Sequence, residues 1–238
     1  MFDMRVEPGP GLAAWAELPG LVAQITGDEK HGAAANSTLD VLWVLHTRVL
    51  RLGAQSVHDP DRDRFVLSKG HGPASYYAVL AATGFIAKSE LNRFERAGSI
   101  LGRHPDRLLV PGVEVSSGSL GHGLPIAVGM ASALRLRAGR SPRVVCLVGD
   151  GELDEGSMHE AIAYAGRVSL DNLTVVLVDN GSSRWGWPGG PARRFEIEGW
   201  HALTVDGRDH DALAGGLADQ RDGRPHAVVA TVHPPLAA

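Results

Sequence analysis

Asp150 and Asn180 are two oxygen-bearing side chains, each placed just past an apolar, β-branched run. Residues 143–148 lead into Gly149, Asp150 and Gly151, and residues 173–178 lead into Asp179, Asn180 and Gly181. Runs of this length and composition read as buried parallel strands. A carboxylate and an amide carbonyl are hard oxygen donors. They suit Mg²⁺, which takes few protein ligands and completes its shell with water and phosphate oxygens. Gly149 and Gly151 let backbone approach a phosphate group closely. Asp-Gly and Asn-Gly are also common turn dipeptides, so neither motif alone identifies a metal site. The pairing of two such ligands behind two strands is the stronger signal.

The elements between them bring the two ligands together. Met158, Ala161, Ile162, Ala165 and Val168 repeat at helical spacing. Strand, helix and strand then form a βαβ unit with a right-handed crossover. If the strands lie close in the sheet, Asp150 and Asn180 emerge at one carboxyl edge, where open α/β sheets bind ligands.

The rest of the chain alternates in the same way. Residues 38–52 read as a helix with Ser37 as its N-cap, and residues 64–67 as a short strand. A turn-rich loop, Ser68-Lys69-Gly70-His71, leads into a helix over 74–83. A surface helix follows over 88–96, and a glycine-rich loop, 116–123, opens a helix of small residues over 126–136. Residues 199–206 and 227–232 are two further strands, with a helix over 210–220 between them. Residues 185–191 are loop-biased. The pattern predicts an α/β fold with a doubly wound, mainly parallel sheet and helices on both faces. The expected organisation is an irregular lead over 1–20 and one domain over 21–238.

Composition sets the outer limits. With 44% hydrophobic and 21% charged residues, the chain has the balance of a soluble globular enzyme. A net charge of −4 gives no sign of a nucleic-acid surface. The single cysteine, Cys146, lies inside an apolar strand and reads as an inert buried thiol. Neither a signal peptide nor a membrane-spanning run is expected, which places the protein in the cytoplasm.

Four segments resemble the amino-terminal, diphosphate-binding half of transketolase: residues 64–71, 112–121, 149–156 and 170–180. Their order and spacing match over roughly residues 20–215. The resemblance implies thiamine diphosphate and Mg²⁺ as cofactors. On it, Asp150 and Asn180 look like the side-chain metal ligands, and Ser182 takes the place that offers a backbone carbonyl to the metal. Gly149 lies in the same motif, and Gly151 looks like a backbone donor to the diphosphate. Gly118 and Leu120 match positions flanking the aminopyrimidine ring. His71 resembles a histidine between diphosphate and substrate, and His31 and His104 fall on substrate-site histidines. Glu155 and Glu160 match acidic positions near the family's dimer interface. The residues support the three histidines independently. Each sits in a loop beside Gly or Pro, and imidazole titrates in the range that proton movement at sugar hydroxyls needs.

The chain also departs from the pattern. Val178 stands where the family often has Asp, Arg103 where it often has Gly, and Ala33 and Ala34 replace a glycine pair. His122 replaces a usual glutamine. The expected Lys-Gly-Xaa-Gly loop after the last strand is missing, so part of the substrate channel is expected from elsewhere. The pyrimidine-binding domain, whose glutamate activates the cofactor, does not fit within this length. The leading expectation is therefore the amino-terminal subunit of a split transketolase that works on sugar phosphates. Its partner would be a carboxy-terminal transketolase subunit carrying the pyrimidine-binding domain, in an α₂β₂ assembly. Two alternatives stay open: transfer of a glycolyl unit to a lipoyl or carrier-protein thiol, and a non-catalytic scaffold.

Overall fold

The two apolar runs do pair. In the computed structural model, β2 (Val144–Gly149) and β3 (Leu173–Asp179) are neighbouring parallel strands, with Gly149 opposite Val178. The structure describes residues 12–25, 37–137, 142–219 and 223–232. Among the described residues three more strands extend the sheet: β1 (Arg64–Leu67), β4 (His201–Asp206) and β5 (His226–Thr231). All pairings are parallel, in the order β1-β2-β3-β5-β4. Five parallel strands need a covered sheet, and both faces are covered.

Alternation along the strands divides the core in two. Val145, Leu147 and Val176 face one layer, which holds α1 (Leu12–Ala23), α2 (Leu39–Val44), α3 (Pro73–Ala82) and α7 (His210–Ala218). Cys146, Val148 and Val175 face the other, which holds α4 (Gly123–Arg135), α5 (Gly156–Arg167) and α6 (Pro191–Glu196). Successive strand side chains point to opposite faces, so one continuous apolar run serves both layers. This is the doubly wound parallel α/β sheet that the sequence predicts. No helix among the described residues is long and apolar enough to cross a membrane.

The local differences have physical causes. Helix α1 runs across residue 20, where the lead was expected to end, and it contributes Leu18 and Leu21 to the core. Its apolar spacing is interrupted by Pro19 and Gly20, which weakens the signal in sequence. The helix expected over 38–52 is α-helical only to Val44 and continues as a π-turn over Leu45–Val49. Its N-cap is Thr38 and not Ser37, and no side-chain bond closes that cap. The segment expected as a surface helix at 88–96 is a 3₁₀ helix over Lys88–Arg93. Helix α6, inside a stretch dominated by loop residues, begins on Pro191, a residue whose fixed φ suits a helix's first turn.

Candidate functional site

Asp150 begins a short 3₁₀ turn, Asp150–Asp154, directly after β2. It is 2% exposed. Its Oδ1 accepts from the Gly151 amide at 2.9 Å and from the Ser182 hydroxyl, and its Oδ2 accepts from the Ser183 amide at 2.9 Å. The loop after β3 is thus folded back onto the carboxylate that follows β2. Ser182 reaches Asp150 through its hydroxyl; its carbonyl lies 3.9 Å from where a Cβ on Gly151 would stand. Asn180 leaves the same edge, and its Nδ2 donates to the Ser37 hydroxyl at 3.2 Å. Its Oδ1 is buried and has no hydrogen-bond partner among the described residues. An amide oxygen withdrawn from water without a donor is costly.

This donor set fits Mg²⁺. One buried carboxylate and one unsatisfied amide oxygen sit at the carboxyl ends of adjacent strands. No group of three or more His, Cys, Asp or Glu among the described residues could hold a metal, and Mg²⁺ is the ion that manages with fewer. The residues that would hold it are Asp150, Asn180 and the Ser182 segment. Beside Asp150 runs a cleft of about 170 Å³, lined also by Asp179, Gly181 and Trp187. A larger cavity, about 420 Å³, lies apart from this edge beside Arg62 and Glu114.

Glu152 ties the surrounding loops together. Its Oε1 accepts from the Ser68 hydroxyl at 2.7 Å and the Gly121 amide at 3.0 Å, and its Oε2 accepts from the Gly149 amide at 2.9 Å. One carboxylate therefore joins the end of β1, the glycine-rich loop and the end of β2. Burial raises its pKa, against the lowering effect of those bonds and of Lys69. Ser68 also accepts from the Gly123 amide at 3.1 Å. A Cβ on Gly123 would stand 2.3 Å from that of Ser68, so only glycine permits the contact.

The expected site residues distribute as follows. His71 is exposed on the loop leaving β1, at the same carboxyl edge. His104 is exposed, and its ring lies over Gly118: with φ at +148°, a Cβ on Gly118 would fall 2.8 Å from His104 Cγ. The Gly118 carbonyl and the Leu120 side chain also crowd Gly70, next to His71. The structure thus gathers His104, Gly118, Leu120 and the loop of His71 on one side, and Gly149, Asp150, Gly151, Asn180 and Ser182 on the other, with Glu152 between. His31 lies outside the described residues. Glu155 and Glu160 are exposed on and before α5. His122 is exposed, with Nδ1 3.0 Å from the Leu120 carbonyl.

Sequence reasoning assigned no role to Ser68, Lys69 or Glu152, although all three stand in segments that carry the resemblance, 64–71 and 149–156. For Glu152 a local sign was its place three residues after Gly149, the spacing of a capping box. Ser37 was read as a helix cap; its hydroxyl is instead the partner of Asn180.

A parallel α/β sheet with a carboxylate, an amide oxygen and glycine backbone at one carboxyl edge is suited to a phosphorylated ligand held with a metal. Comparison with known proteins gives the family. Residues 22–232 match the family described as transketolase, thiamine diphosphate binding domain. The chain belongs to the transketolase family and carries its thiamine-diphosphate-binding domain. It is 50% identical over 229 residues to the protein named Ferredoxin fas2 of Rhodococcoides fascians, covering 96% of this chain and 75% of that one. It is 35% identical over 207 residues to an apulose-4-phosphate transketolase subunit of Actinobacillus succinogenes, covering 84% and 75%. The solved transketolase of Leishmania mexicana superposes with a TM-score of 0.72 at 30% identity, over 87% of this chain and 37% of that one. The chain thus spans about a third of that solved transketolase.

Proposed function

We propose that this chain is the diphosphate-binding subunit of a two-component transketolase, moving a two-carbon ketol unit between sugar phosphates. The observation that carries the reading is the pair at the sheet edge: a buried Asp150 carboxylate and a buried Asn180 oxygen that lacks a donor among the described residues. Asp150, Asn180 and the Ser182 segment would hold Mg²⁺, and the Gly151 amide would turn from Asp150 to a phosphate oxygen. Thiamine diphosphate, when bound, supplies a carbon acid able to hold the transferred unit. The chain's own residues do the rest. His71 and His104 hold and move protons at the substrate hydroxyls. Gly118 and Leu120 seat the ring end of the cofactor. His31 is assigned to the substrate side.

A partner follows from the same reading. A relative named as one subunit of a transketolase is matched over three quarters of its length, and the chain spans about a third of a solved transketolase. We assign the partner a pyrimidine-binding domain and the complex an α₂β₂ form in the cytoplasm. Light scattering on a fully active complex would report four chains; an active one-to-one heterodimer would contradict that form. The test of function is transfer from a ketose phosphate to an aldose acceptor by the chain with and without its co-expressed partner. Turnover only with the partner supports the reading. Transfer to a lipoyl or carrier-protein thiol, with none to aldoses, would select the glycolyl alternative, which the departures at Ala33, Ala34 and Arg103 keep open.

The name of the ferredoxin relative brings no electron-transfer role to these 238 residues. Iron–sulfur clusters take four cysteine thiolates, and the one cysteine here, Cys146, is buried in β2.

A further inference from the structure

Lys69 follows β1 and is 4% exposed. A buried ammonium is retained only when something balances and hydrogen-bonds it. Its aliphatic stem and Nζ pass over Gly149, where a Cβ would stand 3.4 Å from Nζ. Asp150 and Glu152 act on it through space. Yet Nζ has no hydrogen-bonded or ion-paired partner among the described residues. The two nearby carboxylates are engaged elsewhere. Asp150 binds Gly151, Ser182 and Ser183. Glu152 binds Ser68, Gly121 and Gly149. Three ammonium donors are thus presented at the carboxyl edge, beside the Asp150-Gly151 turn, without an acceptor among the described residues.

We propose that the Lys69 ammonium is a further ligand-binding group of this site, contacting the terminal phosphate of the bound diphosphate from the side of β1. This rests on the diphosphate reading of the site and goes beyond it by adding a cation contributed by the chain. With a divalent ion on Asp150, Lys69 and the metal offset most of the charge of Asp150, Glu152 and the cleft-lining Asp154 and Asp179, so loss of Lys69 leaves the site more repulsive to a multiply charged diphosphate. The ligand's oxygens supply the acceptors that the surrounding loops withhold from Nζ. A Lys–phosphate contact of this kind is a point-charge interaction complementary to the metal.

The experiment uses the complex purified through a tag on this chain. Calorimetry measures thiamine diphosphate and thiamine monophosphate binding with Mg²⁺, and Mn²⁺ binding without either. Lys69→Met removes the charge and keeps the stem; Lys69→Gln is the second variant should methionine be rejected by the fold. The expected result is a loss of about 10- to 100-fold in diphosphate affinity, the range of charge-assisted bonds. Monophosphate affinity stays within about threefold, and Mn²⁺ affinity is unchanged or tighter. Equal loss for both phosphates together with a fall in melting temperature would show that Lys69 only balances Glu152, and would overturn the proposal. So would undiminished diphosphate binding by the variants. A wild-type complex that binds neither phosphate would instead refute the site reading on which the proposal stands.

Discussion

Replacing Glu152 by Gln tests whether one buried carboxylate holds the site's three segments in place. The side chain keeps its size but exchanges an acceptor oxygen for an NH₂ group. Two of the three bonds to Glu152 come from backbone amides, at Gly121 and Gly149, and the third from the Ser68 hydroxyl. Whichever way the new amide turns, its NH₂ faces a backbone N–H. If it faces Gly149, that donor is left unsatisfied; if it faces Ser68 and Gly121, the Gly121 amide is. A buried unsatisfied donor costs about 1–3 kcal/mol, and the remaining bonds lose their charge assistance. A total near 2–3 kcal/mol is expected, which for a chain of this size lowers the melting temperature by about 5–10 °C. Thermal unfolding followed by circular dichroism gives the first number. Hydrogen exchange gives the second readout: the Gly121 and Gly149 amides should lose protection more than those in β3. A variant with an unchanged melting temperature and unchanged protection at both glycines would refute the clamp.

Acid should weaken the fold through His46. Burial among Phe65, Tyr76 and Phe85 lowers its pKa from 6.5 to about 4, the Leu42 carbonyl opposing. The unfolded state therefore binds the extra proton between those values, and stability falls as pH drops from 6.5 toward 4, by up to about 3 kcal/mol. Urea unfolding at pH 7 and pH 4.5 checks this, and His46→Leu should flatten the slope; an equal slope in that variant excludes His46 as the cause. His71→Ala and His104→Ala should each lose transferase rate while melting within a few degrees of wild type, because exposed loop side chains contribute little packing; full rate in either makes that histidine a bystander. The chain purified without its partner should show no ketol transfer, because the carboxylate that activates the cofactor is assigned to the partner; robust turnover by residues 1–238 alone would overturn the two-component reading.

The strands were legible because buried parallel strands carry an unbroken apolar signal; β1, β2 and β3 match their expected spans to within a residue. Asp150 and Asn180 were legible because they follow that signal directly. Glu152 was harder, since its partners Ser68 and Gly121 lie 84 and 31 positions away and only the folded sheet edge brings them near. Ser37 was misread because a serine before a helix has two possible uses, and its bond to Asn180 spans 143 positions. Helix α6 was hidden because Gly189, Gly190 and Pro191 favour a loop until Phe195 finds its place in the core.

Asp150 and Asn180 are proposed to make a metal-and-diphosphate site at one sheet edge. The most direct measurement is calorimetric titration of thiamine diphosphate into the complex, with and without Mg²⁺, for wild type and Asp150→Asn. The substitution keeps an oxygen for the Gly151 amide but removes the charge that would hold the ion. Wild type should bind the cofactor only with Mg²⁺, and the variant should lose that metal-dependent binding while remaining folded. Equal, metal-dependent affinity in wild type and variant would contradict the account.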